Sequence, residues 1–235
     1  MRKRDWAVVV PVKPLAEAKS RLHAAPLRVR HVDLVLAMAQ DTVAASLACP
    51  AVCEVLVVTD DPHAHRAMAA LRARVVPDLP AAGLNPAVAY GAAHAAPEHA
   101  VAVLAADLPA LRADELAAAL QAAAAVAETA AADSRGFVAD AAGSGTTLLA
   151  ALPGAGLDPR FGADSARAHE ASGAVRLDGD WPSLRRDVDT LADLIAAARL
   201  GLGPHTAALV GHSLTALVTG ADADGQAGGP AGQRA

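Results

Sequence analysis

A chain of 235 residues, 54% of them hydrophobic, suits one medium-sized domain with a full core. Its net charge of −5 argues against a general nucleic-acid binder. Two cysteines spaced C-x3-C, Cys49 and Cys53, are too few for a disulfide scaffold or a zinc site and read as buried thiols. No uninterrupted apolar stretch of about 20 residues offers a membrane span. "AVVVPV" is too short for a secretory signal. The expected setting is therefore the cytoplasm, with no membrane and no nucleic acid as partner.

In chain order, "WAVVVPV" reads as a buried strand. Residues 28–47 read as a helix with Val32, Leu36, Ala39, Val43 and Leu47 on one face. "CEVLVVT" is a second buried strand, ended by Asp60-Asp61-Pro62. A short helix leads to a third strand, "ARVV" (73–76). "GLNPAV" opens a helix. "VAVLAA" (101–106) is a fourth strand ended by Asp107, and an Ala-rich helix spans about Ala113 to Ala132. "GFVADAAGSGTTLLAAL" reads as two short strands around a Gly-rich turn. A helix starting near Asp164 or Ser165 precedes another strand. The last helix follows the acidic turn "RRDVDT", with Asp189 or Thr190 as cap. Strands that are apolar throughout and alternate with helices imply a mostly parallel sheet covered on both faces. Ligands of such sheets bind at the carboxyl ends of the strands, where Lys13/Lys19, Asp60/Asp61 and Asp107 fall.

Charge is unevenly placed. Residues 1–30 carry eight basic and two acidic side chains, so that segment is net +6 and the remainder −11. Of 20 basic residues only Lys3, Lys13 and Lys19 are lysines. An ammonium is a compact point charge suited to a phosphate that moves, whereas guanidinium favours a fixed planar fork. With Arg21, the loop after the first strand suits a triphosphate. It is not a Walker A loop, because the required G-x-x-x-x-G-K-[ST] is absent. Asp107 at a strand end suits Mg²⁺, joined by one of Asp187 and Asp189. The two are expected to point apart, with Asp187 favoured as ligand. "GSGTT" (143–147) reads either as a plain hairpin turn or as an anion holder through its N–H groups and the Thr146 and Thr147 hydroxyls. The nine histidines show no metal spacing.

Together "VPVKPLAEAKSRL", "VVTDDP", "GLNPAV", "ADLPAL", "FVADAAGSGTT", "RFGADSARAHEASGA" and "WPSLRRDVDT" resemble the phosphoenolpyruvate / 2-phospholactate guanylyltransferases of coenzyme F-420 biosynthesis. The resemblance runs from about Trp6 to Leu200. It implies a single nucleotidyltransferase domain over 1–200, a three-layer α/β/α sandwich of the nucleotide-diphospho-sugar transferase-like kind. Residues 201–235 are then a Gly/Ala-rich extension, disordered from about 220. It implies an Mg²⁺-dependent transfer of GMP from GTP to a phosphorylated three-carbon acid. Lys13, Lys19 and Arg21 would hold the GTP phosphates, and Gly83, Leu84 and Asn85 would lie by the nucleoside. Asp107 and Asp187 would hold Mg²⁺, and Thr146, Gly162 and Ser165 the acceptor. An Arg- and Ala-rich chain suggests a high-GC bacterium and hence phosphoenolpyruvate, with 2-phospholactate and 3-phosphoglycerate as alternatives. A labile product suggests hand-over to the downstream transferase. The rivals are a molybdopterin or sugar-phosphate nucleotidyltransferase, disfavoured by the glycine-free "PVKPLAEAKS", and a nucleotide-binding module without turnover.

Overall fold

Successive residues of β1 (Trp6–Pro11) alternate between two cores. Trp6, Val8 and Val10 pack into one, Ala7 and Val9 into the other. A strand buried on both faces sits in the middle of a sheet. In the computed structural model, which describes residues 5–16, 22, 29–79, 81–129, 135–211 and 214, β1 is flanked by two parallel strands.

The chain runs β1, α1 (His31–Ala48), β2 (Val52–Val58), α2 (Pro62–Ala70), β3 (Arg74–Val76), α3 (Leu84–Ala92), β4 (Ala100–Leu104) and α4 (Ala113–Thr129). It continues through β5 (Arg135–Ala139), β6 (Thr146–Ala151), α5 (Ser165–Ala171), β7 (Val175–Arg176), α6 (Pro182–Arg185) and α7 (Leu191–Leu200). A further helix, α8 (Pro204–Gly211), follows. The seven-stranded sheet has the order β3-β2-β1-β4-β6-β5-β7. Only β6 runs antiparallel to its neighbours. Helices α1, α2, α4, α6 and α7 contribute to the larger core and α3 and α5 to the smaller, giving three layers. This is the expected α/β/α sandwich with a mostly parallel sheet.

Three local readings change. The buried face of α1 is Leu34, Val35, Met38, Ala39, Thr42, Val43 and Ser46, while Leu47 is exposed. The stripe is rotated because Asp41 and Thr42 turn inward to hydrogen-bond partners. Thr42 Oγ1 accepts from Leu108 N at 3.0 Å, and the Asp41 carboxylate accepts from His205 N and Thr206 N. Cys49 is buried, but Cys53 is exposed, its thiol 3.1 Å from the Trp6 carbonyl. Asp189 is not the cap of α7. Thr190 is, in a capping box with Asp193.

Residues 201–211 stay on the domain. Gly203 N donates to Pro109 O at 2.7 Å, Asp41 holds the start of α8, and Val210 and Leu214 join the larger core. The tail expected from about 220 lies outside the described residues, as does the end of the Ala-rich segment at 130–134. No single described helix is long and apolar enough to cross a membrane.

Candidate active site

The strand order reverses at β1: β2 and β3 lie to one side, β4 to the other. At such a switch point the loops leaving adjacent parallel strands separate and leave a crevice. Here it is a cavity of about 720 Å³. Lys13 lines it just past β1, and Asp107 just past β4. The antiparallel β6 brings its first residue, Thr146, to the same rim, since Leu104 pairs with Leu148 and Ala139 with Thr146.

Buried polar groups set the Asp107 loop. The Thr42 hydroxyl accepts from Leu108 N and lies 3.2 Å from the Ala106 carbonyl, bracketing Asp107 from both sides. The 186–190 segment is tied to that loop by Val188 N donating to Asp107 O at 3.1 Å. Arg185 anchors the segment's start to the sheet end, through the Ala139 and Leu177 carbonyls. Asp187 and Asp189 both line the cavity. The expectation that they diverge fails because residues two apart in an extended segment share a face: Asp187 and Asp189 come to one side, and Val188 between them is buried on the other.

Asp60 and Asp61, at the end of β2, do not line the cavity. Asp60 accepts from Asp78 N. Asp61 caps α2 and accepts from Leu15 N at 3.1 Å, steadying the loop that carries Lys13. Burial would raise the Asp61 pKa, but the backbone N–H groups of Ala64, Leu15 and His63 outweigh it and hold the carboxyl below its usual range. Lys19 and Arg21 lie outside the described residues.

The turn after β5 closes on itself. Asp140 accepts from Ser144 N at 2.9 Å and Gly145 N at 2.8 Å, so these N–H groups are engaged within the turn. A side chain at Gly145 would put its Cβ 2.4 Å from Asp140 Oδ2 and would force that carboxylate to shift. Thr147 is buried beside Val138 O. Of the two threonines, Thr146 reaches the cavity wall.

A strap, residues 157–165, carries Gly162 and Ser165 to the cavity wall. Three side chains fix it. Asn85 makes a two-way clamp, donating to Phe161 O at 3.0 Å and accepting from Phe161 N at 2.8 Å. Arg135, nearly buried, donates to the Leu157 and Ser172 carbonyls and pairs with Asp158 at 3.2 Å. His169 is fully buried; its Nε2 accepts from Arg160 N and its Nδ1 meets Thr146 Oγ1, both at 2.9 Å. Burial, then the neighbouring Arg135 charge, lowers the His169 pKa from the usual 6.5 to about 4, with Asp158 opposing.

Of the nucleoside trio, Leu84 lines the cavity. Gly83 precedes α3 at φ 104°, ψ −178°, a conformation essentially restricted to glycine. The Asn85 amide is taken up by the strap. The sequence reading passed over Arg135, Asp140 and His169. For His169 a signal existed: it stands one turn after Ser165, so both occupy one helix face.

The described wall carries five carboxylates, Asp107, Asp140, Asp164, Asp187 and Asp189, against one ammonium, Lys13. Such a wall accepts a polyphosphate only with added cations. Among the described residues no three His, Cys, Asp or Glu side chains gather to enclose a metal. Asp107 and Asp187, lining one cavity, fit Mg²⁺, which usually takes one or two carboxylates and completes its shell with phosphates and water.

Comparisons with known proteins agree with this geometry. Residues 36–154 match the model of the MobA-like NTP transferase domain. A phosphoenolpyruvate guanylyltransferase from Salinispora arenicola is 60% identical over 206 residues, covering 88% of this chain and 94% of that protein. One from Streptomyces coelicolor is 55% identical over 216 residues, covering 90% and 99%. Among solved structures, a Desulfovibrio desulfuricans protein described as a nucleotide-diphospho-sugar transferase superposes with a TM-score of 0.64 at 16% identity, covering 94% of this chain and 96% of that one. A 4-diphosphocytidyl-2C-methyl-D-erythritol synthase gives 0.56 at 18%, covering 84% and 99%. These structural likenesses establish the nucleotide-diphospho-sugar transferase-like fold, and the sequence identities establish the family: the chain belongs to the phosphoenolpyruvate guanylyltransferases.

Proposed function

We propose that this protein transfers GMP from GTP to phosphoenolpyruvate, giving enolpyruvoyl-2-diphospho-5'-guanosine and pyrophosphate, with Mg²⁺ as cofactor. The observation that carries the reading is one cavity lined by two unlike sets of residues. Lys13, Asp107 and Asp187 form one set, and Thr146, Gly162 and Ser165 the other. The first set suits a metal-bound triphosphate, the second a small phosphorylated acid.

A phosphate oxygen of phosphoenolpyruvate attacks the α-phosphorus of GTP. The bond from that phosphorus to the α,β-bridging oxygen breaks, and pyrophosphate leaves with the electron pair. The attacking phosphate is already ionised, so the step needs no general base. Catalysis is then positioning and charge neutralisation. Asp107 and Asp187 would hold Mg²⁺, which offsets phosphate charge when bound. Lys13, with Lys19 and Arg21, follows charge onto the departing pyrophosphate. Leu84, with Gly83 and Asn85 behind it, borders the nucleoside. The setting we infer is cytoplasmic, within coenzyme F-420 biosynthesis, with the labile product handed to the downstream transferase.

The test is pyrophosphate release from GTP and Mg²⁺ with phosphoenolpyruvate, 2-phospholactate, 3-phosphoglycerate or no acceptor. Release with phosphoenolpyruvate alone is expected. Release with another acceptor alone would move the substrate assignment, and release without acceptor would overturn the transferase reading.

A further inference from the structure

Buried histidines far from a charged partner usually serve packing. His169 differs in that both ring nitrogens have polar neighbours, and one neighbour lines the cavity. The Arg160 backbone N–H can only donate, so Nε2 must carry a lone pair. The proton of the neutral ring is therefore on Nδ1. It points at Thr146 Oγ1, with the Ser165 carbonyl as a further acceptor beside the ring. The Thr146 oxygen thus receives a hydrogen bond from His169, and its own proton must go elsewhere. Among the described residues no second partner takes it.

We propose that His169 is a positioning residue for the acceptor: by donating to Thr146 Oγ1 it turns the Thr146 hydroxyl into a donor aimed into the cavity at an anionic oxygen of the phosphorylated acid. Through Nε2 the same ring holds the strap bearing Gly162, so one side chain sets both walls of the acceptor subsite. Neutrality is integral to this. A protonated ring would set Nε2–H against the Arg160 N–H. The charged groups around it, Arg135, Asp158 and Arg160, include two cations that disfavour that form. The inference rests on the acceptor assignment above for its substrate, but not for its proton.

Two measurements test it. Nitrogen NMR of the ¹⁵N-histidine-labelled wild-type protein reads the tautomer without any turnover. A ring with its proton on Nδ1 is expected, and a proton on Nε2 would overturn the proposal. Steady-state kinetics of Thr146→Val, His169→Gln and the double variant read the coupling. Gln can still accept from Arg160 N–H through Oε1 but offers Thr146 no ring proton. Each single change is expected to raise KM for phosphoenolpyruvate about tenfold, the scale of one hydrogen bond to a charged group. KM for GTP should stay within about twofold, the double variant should be no worse than Thr146→Val, and Thr146→Ser should restore most of the loss. Multiplying losses, or equal rises in both KM values, would contradict a role through Thr146. Wild-type protein inactive on phosphoenolpyruvate but with the Nδ1 proton would count against the substrate and leave the histidine's role standing.

Discussion

The two sides of the cavity are built differently. On the β1/β4 side, the loops leaving two buried strands bring Lys13 and Asp107 to the rim, and the segment between α6 and α7 adds Asp187 and Asp189. On the other side the polar side chains of the strap region are largely spent on the protein itself. Asn85, Arg135 and His169 clamp the backbone of residues 157–161 from three elements. In the proposed reaction the charged side would answer a moving phosphate, and the strap would offer a small acid a fixed shape. Charge and shape should therefore fail in different kinetic constants.

The largest effect is expected on the charged side. Asp107→Asn or Lys13→Ala should lower kcat by about two orders of magnitude or more, as when a group that stabilises transition-state charge is lost. Unfolding midpoints should barely move, because neither side chain holds the core. Raising Mg²⁺ should partly rescue Asp107→Asn and not Lys13→Ala. Equal rescue of both would erase the division of labour between them.

A smaller effect of another kind is expected from Asn85→Ala. It frees the Phe161 N–H and C=O at once and should cost about 1–3 kcal/mol of stability by chemical denaturation. KM for the acceptor should rise more than KM for GTP. A rise confined to GTP would instead put the Asn85 amide on the nucleoside and detach it from the strap.

A further effect is a pH dependence of stability. His169 has a folded pKa near 4 against about 6.5 in the unfolded chain. A lowered pKa contributes stability that is fully present above about 6.5 and is lost as pH falls toward 4, since the unfolded state binds the proton more readily. Denaturation midpoints should decline across that window in the wild type and decline less in His169→Gln. Parallel curves would show that the ring titrates normally.

The charged side was legible in the sequence because its signals are local. Lysines in an otherwise arginine-using chain, and an aspartate ending an apolar run, identify the loops at the sheet's carboxyl edge. The three-layer fold followed from the same strand and helix pattern. The strap was not legible, since its clamps are long-range: Asn85 and Phe161 are 76 residues apart, and Arg135 and Ser172 are 37 apart. No local periodicity encodes such pairs. The reversal of β6, which brings Thr146 to the rim, is likewise a matter of pairing rather than propensity. Asp189 was misplaced because side chains two apart in an extended segment share a face, so Asp187 and Asp189 reach the cavity together.

Phosphorus NMR of the protein with GTP, phosphoenolpyruvate and Mg²⁺ tests GMP transfer most directly. Attack on the α-phosphorus predicts two new, mutually coupled diphosphate signals growing in step with inorganic pyrophosphate, and no GDP. GDP in place of pyrophosphate, or pyrophosphate with free GMP and unchanged phosphoenolpyruvate, would contradict it.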